Sequence, residues 1–224
     1  MGEMILACLL TASIASLAFS HKRERVPLPP PRGKGPVSVE EAIAKRRSTR
    51  EYSREPLSLG ELSQLLWSVQ GVTDPARRLR AAPSAGATFP LEVYAVVGER
   101  GVEGLRAGVY RYDPGTHSLE LVVEGDLRRG LASAALGQEW VEEAPVNIVI
   151  TAIYERTTWR YGERGIRYVH MEVGHAGQNL YLQATALGLG TVAVGAFYDE
   201  EVRGVLKLPG DRRPLYIMPV GRPR

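Results

Sequence analysis

The chain has 224 residues, 44% hydrophobic and 24% charged, the balance of a globular domain with a core of its own. Its formal net charge of +3 is too small to imply non-specific nucleic-acid binding. A single cysteine, Cys8, excludes an intrachain disulfide and a cysteine-based metal cluster.

The chain divides into three parts. Residues 1–20 form a hydrophobic N-terminal segment, and residues 4–19, MILACLLTASIASLAF, are apolar or small throughout. That run is short for a spanning helix and reads as a signal anchor or a signal peptide. Two details argue against cleavage and secretion. Glu3 precedes the run with no Lys or Arg, and the basic cluster His21–Arg25 follows it. By the positive-inside tendency this expects a tether that leaves the domain on the cytoplasmic face of a membrane. A mis-called start codon would instead leave a cytoplasmic protein. Residues 21–36 are basic and then rich in proline and glycine, and read as a semi-rigid spacer. Residues 37–224 form the domain.

Within the domain, Ser38 and Glu41 have the spacing of a capping box and predict a helix from Val39 to Arg46. Ser58 and Glu61 repeat it ahead of Leu62, Leu65, Leu66 and Val69, which share one face up to Gly71. Residues 72–82 are basic and irregular and read as a loop. Leu91–Val97 reads as a strand. Ala107–Tyr112 and Ser118–Glu124 read as a hairpin around Asp113-Pro114-Gly115. Asp126 is placed to cap a helix running to Leu136. Val146–Ile153 is a nearly continuous β-branched run, the mark of a central strand. Tyr168–Leu187 carries Val169, Val173, Ala176, Leu180, Ala184 and Leu187 on one helical stripe. A short strand at Thr191–Val194, a helix at Asp199–Leu206 and a strand at Leu215–Val220 complete the set. Helices and strands mix without regular βα alternation, so the expected class is α+β, with helices packed on a central sheet.

Gly188–Ala193 fits G-x-G-x-x-A, but it follows a helix and leads into a strand. A dinucleotide fingerprint needs strand, turn, then helix. His170, Glu172 and His175 could suggest a metal, yet residues five apart on a helix do not share a face, so polar helix-surface or interface positions are the expectation. Neither a P-loop nor a nucleophile elbow is present, which leaves hydrolysis without support. Arg77, Arg78 and Arg80 could form a basic loop for nucleic acid, a reading the small net charge disfavours. Three segments remain. RRSTREY, from Arg46 to Tyr52, sets two arginines, a hydroxyl and a third arginine close together, as a planar anionic cofactor would need. Pro83–Thr88 is a turn of small residues that lets backbone approach a flat ligand. Gly188–Phe197 ends the long helix with glycines.

Together these segments resemble the FMN-dependent nitroreductase family over residues 37–223. YVHMEVGHAGQNLYLQATALGLGTVAVGAF, Tyr168 to Phe197, is similar to the branch of dehydrogenases that make thiazole and oxazole peptides. The resemblance implies a nitroreductase-like mixed or antiparallel sheet flanked by helices, in a two-fold homodimer with FMN at the interface. It implies that Arg46 and Ser48 hold the phosphate and ribityl side, with Arg47 close by, and that Arg50 lies at the N1/O2 ring edge. It takes Pro83, Ser84, Ala85 and Gly86 from the partner subunit, and sets Gly195 and Ala196 along the ring face with an N–H near N5. Arg222 matches a further phosphate contact. The activity implied is ping-pong hydride transfer through the flavin to or from a small-molecule or peptide substrate, with NADH or NADPH as electron donor. A non-catalytic FMN-binding module in a membrane-tethered complex is the alternative. Arg160-Tyr161 stands where the azole-forming branch has a Lys-Tyr pair for proton transfer. Arginine stays protonated and is a poor base, so Tyr161 carries any proton role, and azoline oxidation fits less well than general redox chemistry.

Overall fold

The computed structural model describes residues 24–224. The hydrophobic segment and the tether expected at residues 4–19 lie outside them. Among the described residues no helix is long and apolar enough to cross a membrane.

The described part of the spacer segment, residues 24–36, packs on the domain. Arg25–Pro27 forms strand β1 and pairs with the strand at Ser118–Glu124. Leu28 is buried in the core, and the Pro29 carbonyl accepts from Ser63 Oγ at 2.6 Å. Proline lacks the donor that an interior strand needs, so it suits such a sheet edge as well as a tether.

Helix α1 (Val39–Lys45) starts at Ser38, whose hydroxyl accepts the Glu41 N–H. Glu41 turns its carboxylate to Lys45 at 2.6 Å, so only half of the expected capping box forms. Helix α2 (Leu59–Gln70) has the full box at Ser58 and Glu61, and Leu62, Leu65, Leu66 and Val69 are fully buried. The region read as a loop holds a small hairpin, β2 (Val72–Asp74) and β3 (Leu79–Arg80). Its pairing is too short to leave an alternating pattern.

The remaining elements build one sheet and its two helical layers. Strands β4 (Leu91–Val97), β5 (Gly108–Asp113) and β6 (Ser118–Glu124) form an antiparallel run. Helices α3 (Arg128–Ala134) and α4 (Glu139–Glu143) lead to β7 (Val146–Ala152), all of which is buried. Asp126 does not cap α3 from the expected position. Its carboxylate accepts the Arg128 N–H and grips the Arg128 guanidinium instead. Helix α5 (Glu155–Tyr161) runs into the long α6 (Arg164–Ala186). Strand β8 (Gly190–Thr191), helix α7 (Asp199–Leu206) and strand β9 (Arg213–Gly221) close the chain.

The seven-stranded sheet runs β1-β6-β5-β4-β7-β9-β8, every neighbour antiparallel. Its middle strands bury both faces. In β4, Val93, Ala95 and Val97 face the core under α2 and α6, whereas Tyr94 and Val96 face the second core with α3, α4 and α7. Alternate residues therefore serve opposite layers, which is why these strands read as nearly continuous apolar runs. Helix α6 lies on the first face through Val169, Val173, Ala176, Leu180 and Ala184. At about 1.5 Å per residue it is about 34 Å long, so its two ends stand in separate surroundings.

Candidate functional site

The first group of expected residues gathers at the free edge of β8. After α1 the chain turns extended and lies beside that strand: Ser48 forms a parallel bridge with Thr191, and the Thr49 N–H donates to the Thr191 carbonyl at 2.9 Å. Gly190 is required there, because a Cβ on it would fall 2.5 Å from Thr49 Oγ1. Tyr52 pins the same segment from below. It is buried, and its hydroxyl donates to the Thr49 carbonyl at 2.5 Å. Burial holds that phenol well above its ordinary pKa.

Tyr181 of α6 joins this edge to the glycine segment. Its hydroxyl lies 3.1 Å from Ser48 Oγ and accepts the Ala193 N–H at 2.8 Å. The Arg46 guanidinium sits 5.1 Å from the centre of the Tyr181 ring. Arg50 lies 5.5 Å from the Trp140 ring, and Arg47 folds back onto the carbonyls of Ala44 and Arg46. Gly195 and Ala196 follow at the surface, and the Ala196 carbonyl accepts from Gln138 Nε2 at 2.9 Å. Among the described residues no acceptor meets the Gly195 N–H.

Charge separates these arginines from Arg222. Among the described residues none of Arg46, Arg47 and Arg50 has a carboxylate partner, whereas Arg222 pairs with Glu55 and Glu61, each at 3.1 Å. Thr191 Oγ1 is buried beside the segment and has no hydrogen-bond partner among the described residues. The edge is thus a set of donors and uncompensated positive charge, which suits an anion with a polar tail.

The second group gathers where α5 meets α6. Pro83 to Gly86 turns tightly, with Gly86 at φ 59°. A side chain at Gly86 would put its Cβ 2.5 Å from the Tyr161 hydroxyl, and Arg160 Nη1 donates to the Gly86 carbonyl at 3.4 Å. The sequence keeps this turn and the Arg160-Tyr161 pair far apart; the fold sets them in contact. Ser84 Oγ accepts the Phe89 N–H at 2.9 Å and fixes the turn from inside. Tyr161 also packs edge-on against Tyr168, ring centres 5.2 Å apart.

The His170–His175 stretch goes to three surroundings. His170 Nε2 meets the Tyr154 hydroxyl at 2.6 Å, and His175 is exposed. Glu172 is not the surface residue expected, being only 2% exposed. Its place three residues after Val169 and four before Ala176 puts it within the apolar stripe, a signal that could have been read. Arg80 also turns inward, donating to Gln70 Oε1 at 2.9 Å and lying over the Phe89 ring at 4.6 Å. Tyr181, Trp140 and Glu172 are the site residues that sequence reasoning missed.

Comparison with known proteins adds a family. Residues 43–222 match the model described as the nitroreductase family. The Methanocaldococcus jannaschii protein MJ1384, named after the nitroreductases, is 53% identical over 83% of this chain and 91% of its own length. The microcin B17-processing protein McbC of Escherichia coli is 29% identical over 69% of this chain, which spans 58% of McbC. Among solved structures, one named after the nitroreductases, from Ralstonia eutropha JMP134, superposes with a TM-score of 0.78 at 31% identity, covering 89% of this chain and 90% of that one.

Proposed function

The chain belongs to the nitroreductase family, and from that premise we propose that it is an FMN-dependent oxidoreductase working by ping-pong hydride transfer. The observation that carries the reading is the row of guanidiniums that lack a carboxylate partner among the described residues, Arg46, Arg47 and Arg50, beside Ser48 and an exposed Gly195. Such donors fit a phosphate, a ribityl chain and an electron-rich ring edge. They do not resemble an ordinary solvated basic patch, because Tyr181 ties Ser48 to the Ala193 backbone.

When bound, FMN supplies the hydride chemistry, alternately reduced by NADH or NADPH and reoxidised by an electron-poor acceptor. The chain supplies the surroundings. Arg46 and Ser48 hold the phosphate and ribityl side, with Arg47 adjacent. Arg50 sets positive charge at the ring edge. Gly195 and Ala196 present backbone along the ring face. Arg222 could reach the phosphate only by leaving Glu55 and Glu61. Tyr161 is the group that can hold or move a proton, while Arg160 stays charged and binds the turn.

A second copy completes the site. Pro83 to Gly86 lies against Tyr161 just ahead of α6, with Ser84 toward Glu172 in the helix's first half, and Ser48 lies against Tyr181 near its end. Glu172 and Tyr181 are about 14 Å apart along the helix. A two-fold mate, with its own α6 running the other way, brings the turn of one subunit to the arginine edge of the other. Exposed apolar residues on α1 and α6, Val39, Ile43, Ile166 and Met171, suit such a seam. The substrate is a small electron-poor molecule or a modified peptide, the former favoured by Arg160.

Anaerobic stopped-flow with NADH against NADPH tests this reading directly. The expected protein is yellow, and one nicotinamide bleaches its flavin absorbance faster than the other. A colourless preparation that ignores added FMN would overturn it.

A further inference from the structure

Beneath the Pro83–Gly86 turn lies a buried polar group to which the proposed hydride transfer gives no role. Glu172 is 2% exposed, and its Oε1 has no hydrogen-bond partner among the described residues. The polar side chains facing it are Ser84 from the turn and Gln70 from α2. Gln70 Nε2 is likewise buried and unpaired, since Gln70 gives its Oε1 to Arg80. Arg80 of β3 is the charged group across the cluster, and behind it stand Arg156 of α5, Glu92 of β4 and Tyr112 of β5. Arg156 and Glu92 are paired with each other at 2.7 Å. The hydroxyl of Ser84 is therefore shared between the protein interior and the surface of the turn. It accepts the Phe89 N–H, and its one hydrogen can point inward to Glu172 or outward.

We propose that Glu172 is a positioning residue whose protonation state sets which way the Ser84 hydroxyl donates, and so how well the turn holds a flavin. An ionised Glu172 only accepts hydrogen bonds and draws the Ser84 hydrogen inward. A neutral Glu172 donates to Ser84 Oγ and frees the Ser84 hydrogen for a ring carbonyl or nitrogen in the neighbouring site. The inference rests on the FMN reading and adds proton control to it. Burial raises the Glu172 carboxyl to about 7, partly opposed by Ser84 and Arg80, so both forms are populated near neutral pH.

The test is FMN affinity from pH 6 to pH 8.5, read by quenching of flavin fluorescence, for wild type, Glu172→Gln and Ser84→Ala. One neutral hydrogen bond is worth about 1 kcal/mol, so the wild type should weaken about fivefold more than Glu172→Gln across this range. Glu172→Gln imitates the neutral acid and should bind tightly throughout. The ionisation of the FMN phosphate is common to all three and cancels in the ratio. Ser84→Ala should bind weakly at both ends, with no excess pH dependence, and serves alone if Glu172→Gln does not fold. Parallel curves for wild type and either variant overturn this inference and leave the FMN reading standing. No FMN binding at any pH overturns both.

Discussion

Tyr181 accepts the backbone N–H of Ala193 at 2.8 Å, so one phenol on α6 sets where the glycine segment leaves β8. The same oxygen reaches Ser48 at 3.1 Å. Tyr181→Phe keeps the ring under Arg46 but leaves the Ala193 N–H without its partner. The expected loss is about 1 kcal/mol of stability, by denaturant unfolding, with about fivefold weaker FMN binding. Unchanged stability and affinity would show that the phenol organises nothing.

Arg46 and Arg222 make opposite use of the same chemistry. The Arg46 guanidinium lies over the Tyr181 ring and has no carboxylate partner among the described residues, whereas that of Arg222 is committed to Glu55 and Glu61. Arg46→Ala should weaken FMN binding about 10- to 100-fold, the cost of losing a hydrogen bond to a charged group, with little effect on riboflavin. Arg222→Ala should leave the preference for FMN over riboflavin nearly intact and cost at most about 1 kcal/mol of stability. Calorimetric titration with both flavins separates the two. A loss of that preference in Arg222→Ala alone would reverse the assignment.

The legible and illegible parts of the fold differ in physical kind. Strand β4 and helix α7 fall where patterning expects them, because each is bounded by its own signals and buries a regular face. Helix α5, ERTTWRY, was invisible: it buries Thr157 and leaves Trp159 exposed, so it shows no apolar stripe. Helix α6 begins at Arg164, ahead of the expected Tyr168, since its first turn is mostly polar. At the site, the arginine run, the small-residue turn and the glycine segment were legible as motifs. Their partners Tyr181 and Trp140 were not, because an aromatic on a helix face gains meaning only from what the fold sets opposite it, whereas the burial of Glu172 was readable from its place in the apolar stripe.

Glu172 should also leave a mark on stability that needs no flavin. Its carboxyl is raised from 4.5 to about 7 in the fold, so the folded chain holds this proton more tightly than the unfolded one. The resulting contribution is complete below pH 4.5 and is lost as pH rises through about 7. The full difference is about 3 kcal/mol at 1.36 kcal/mol per pKa unit. Glu172→Gln removes the term. Melting temperatures of the two proteins should therefore part progressively as pH rises from about 4.5 to about 7 and keep a steady gap above that, with the variant the more stable. A constant offset across that range would mean the carboxyl does not titrate there.

Ile43 tests whether the site belongs to one chain or two. It projects from α1 at 56% exposure, three residues before Arg46. A surface isoleucine on a monomer tolerates a charge with little effect. In a two-fold seam the charge is buried against its own copy and has no partner. Ile43→Arg should therefore shift the protein from dimer to monomer in sedimentation velocity and lower FMN retention with it, because the turn at Pro83 to Gly86 would leave the opposite edge. The circular dichroism spectrum should stay that of the wild type, since α1 keeps its Ser38 cap. A folded monomer that retains FMN with wild-type affinity would place the whole flavin site within one chain.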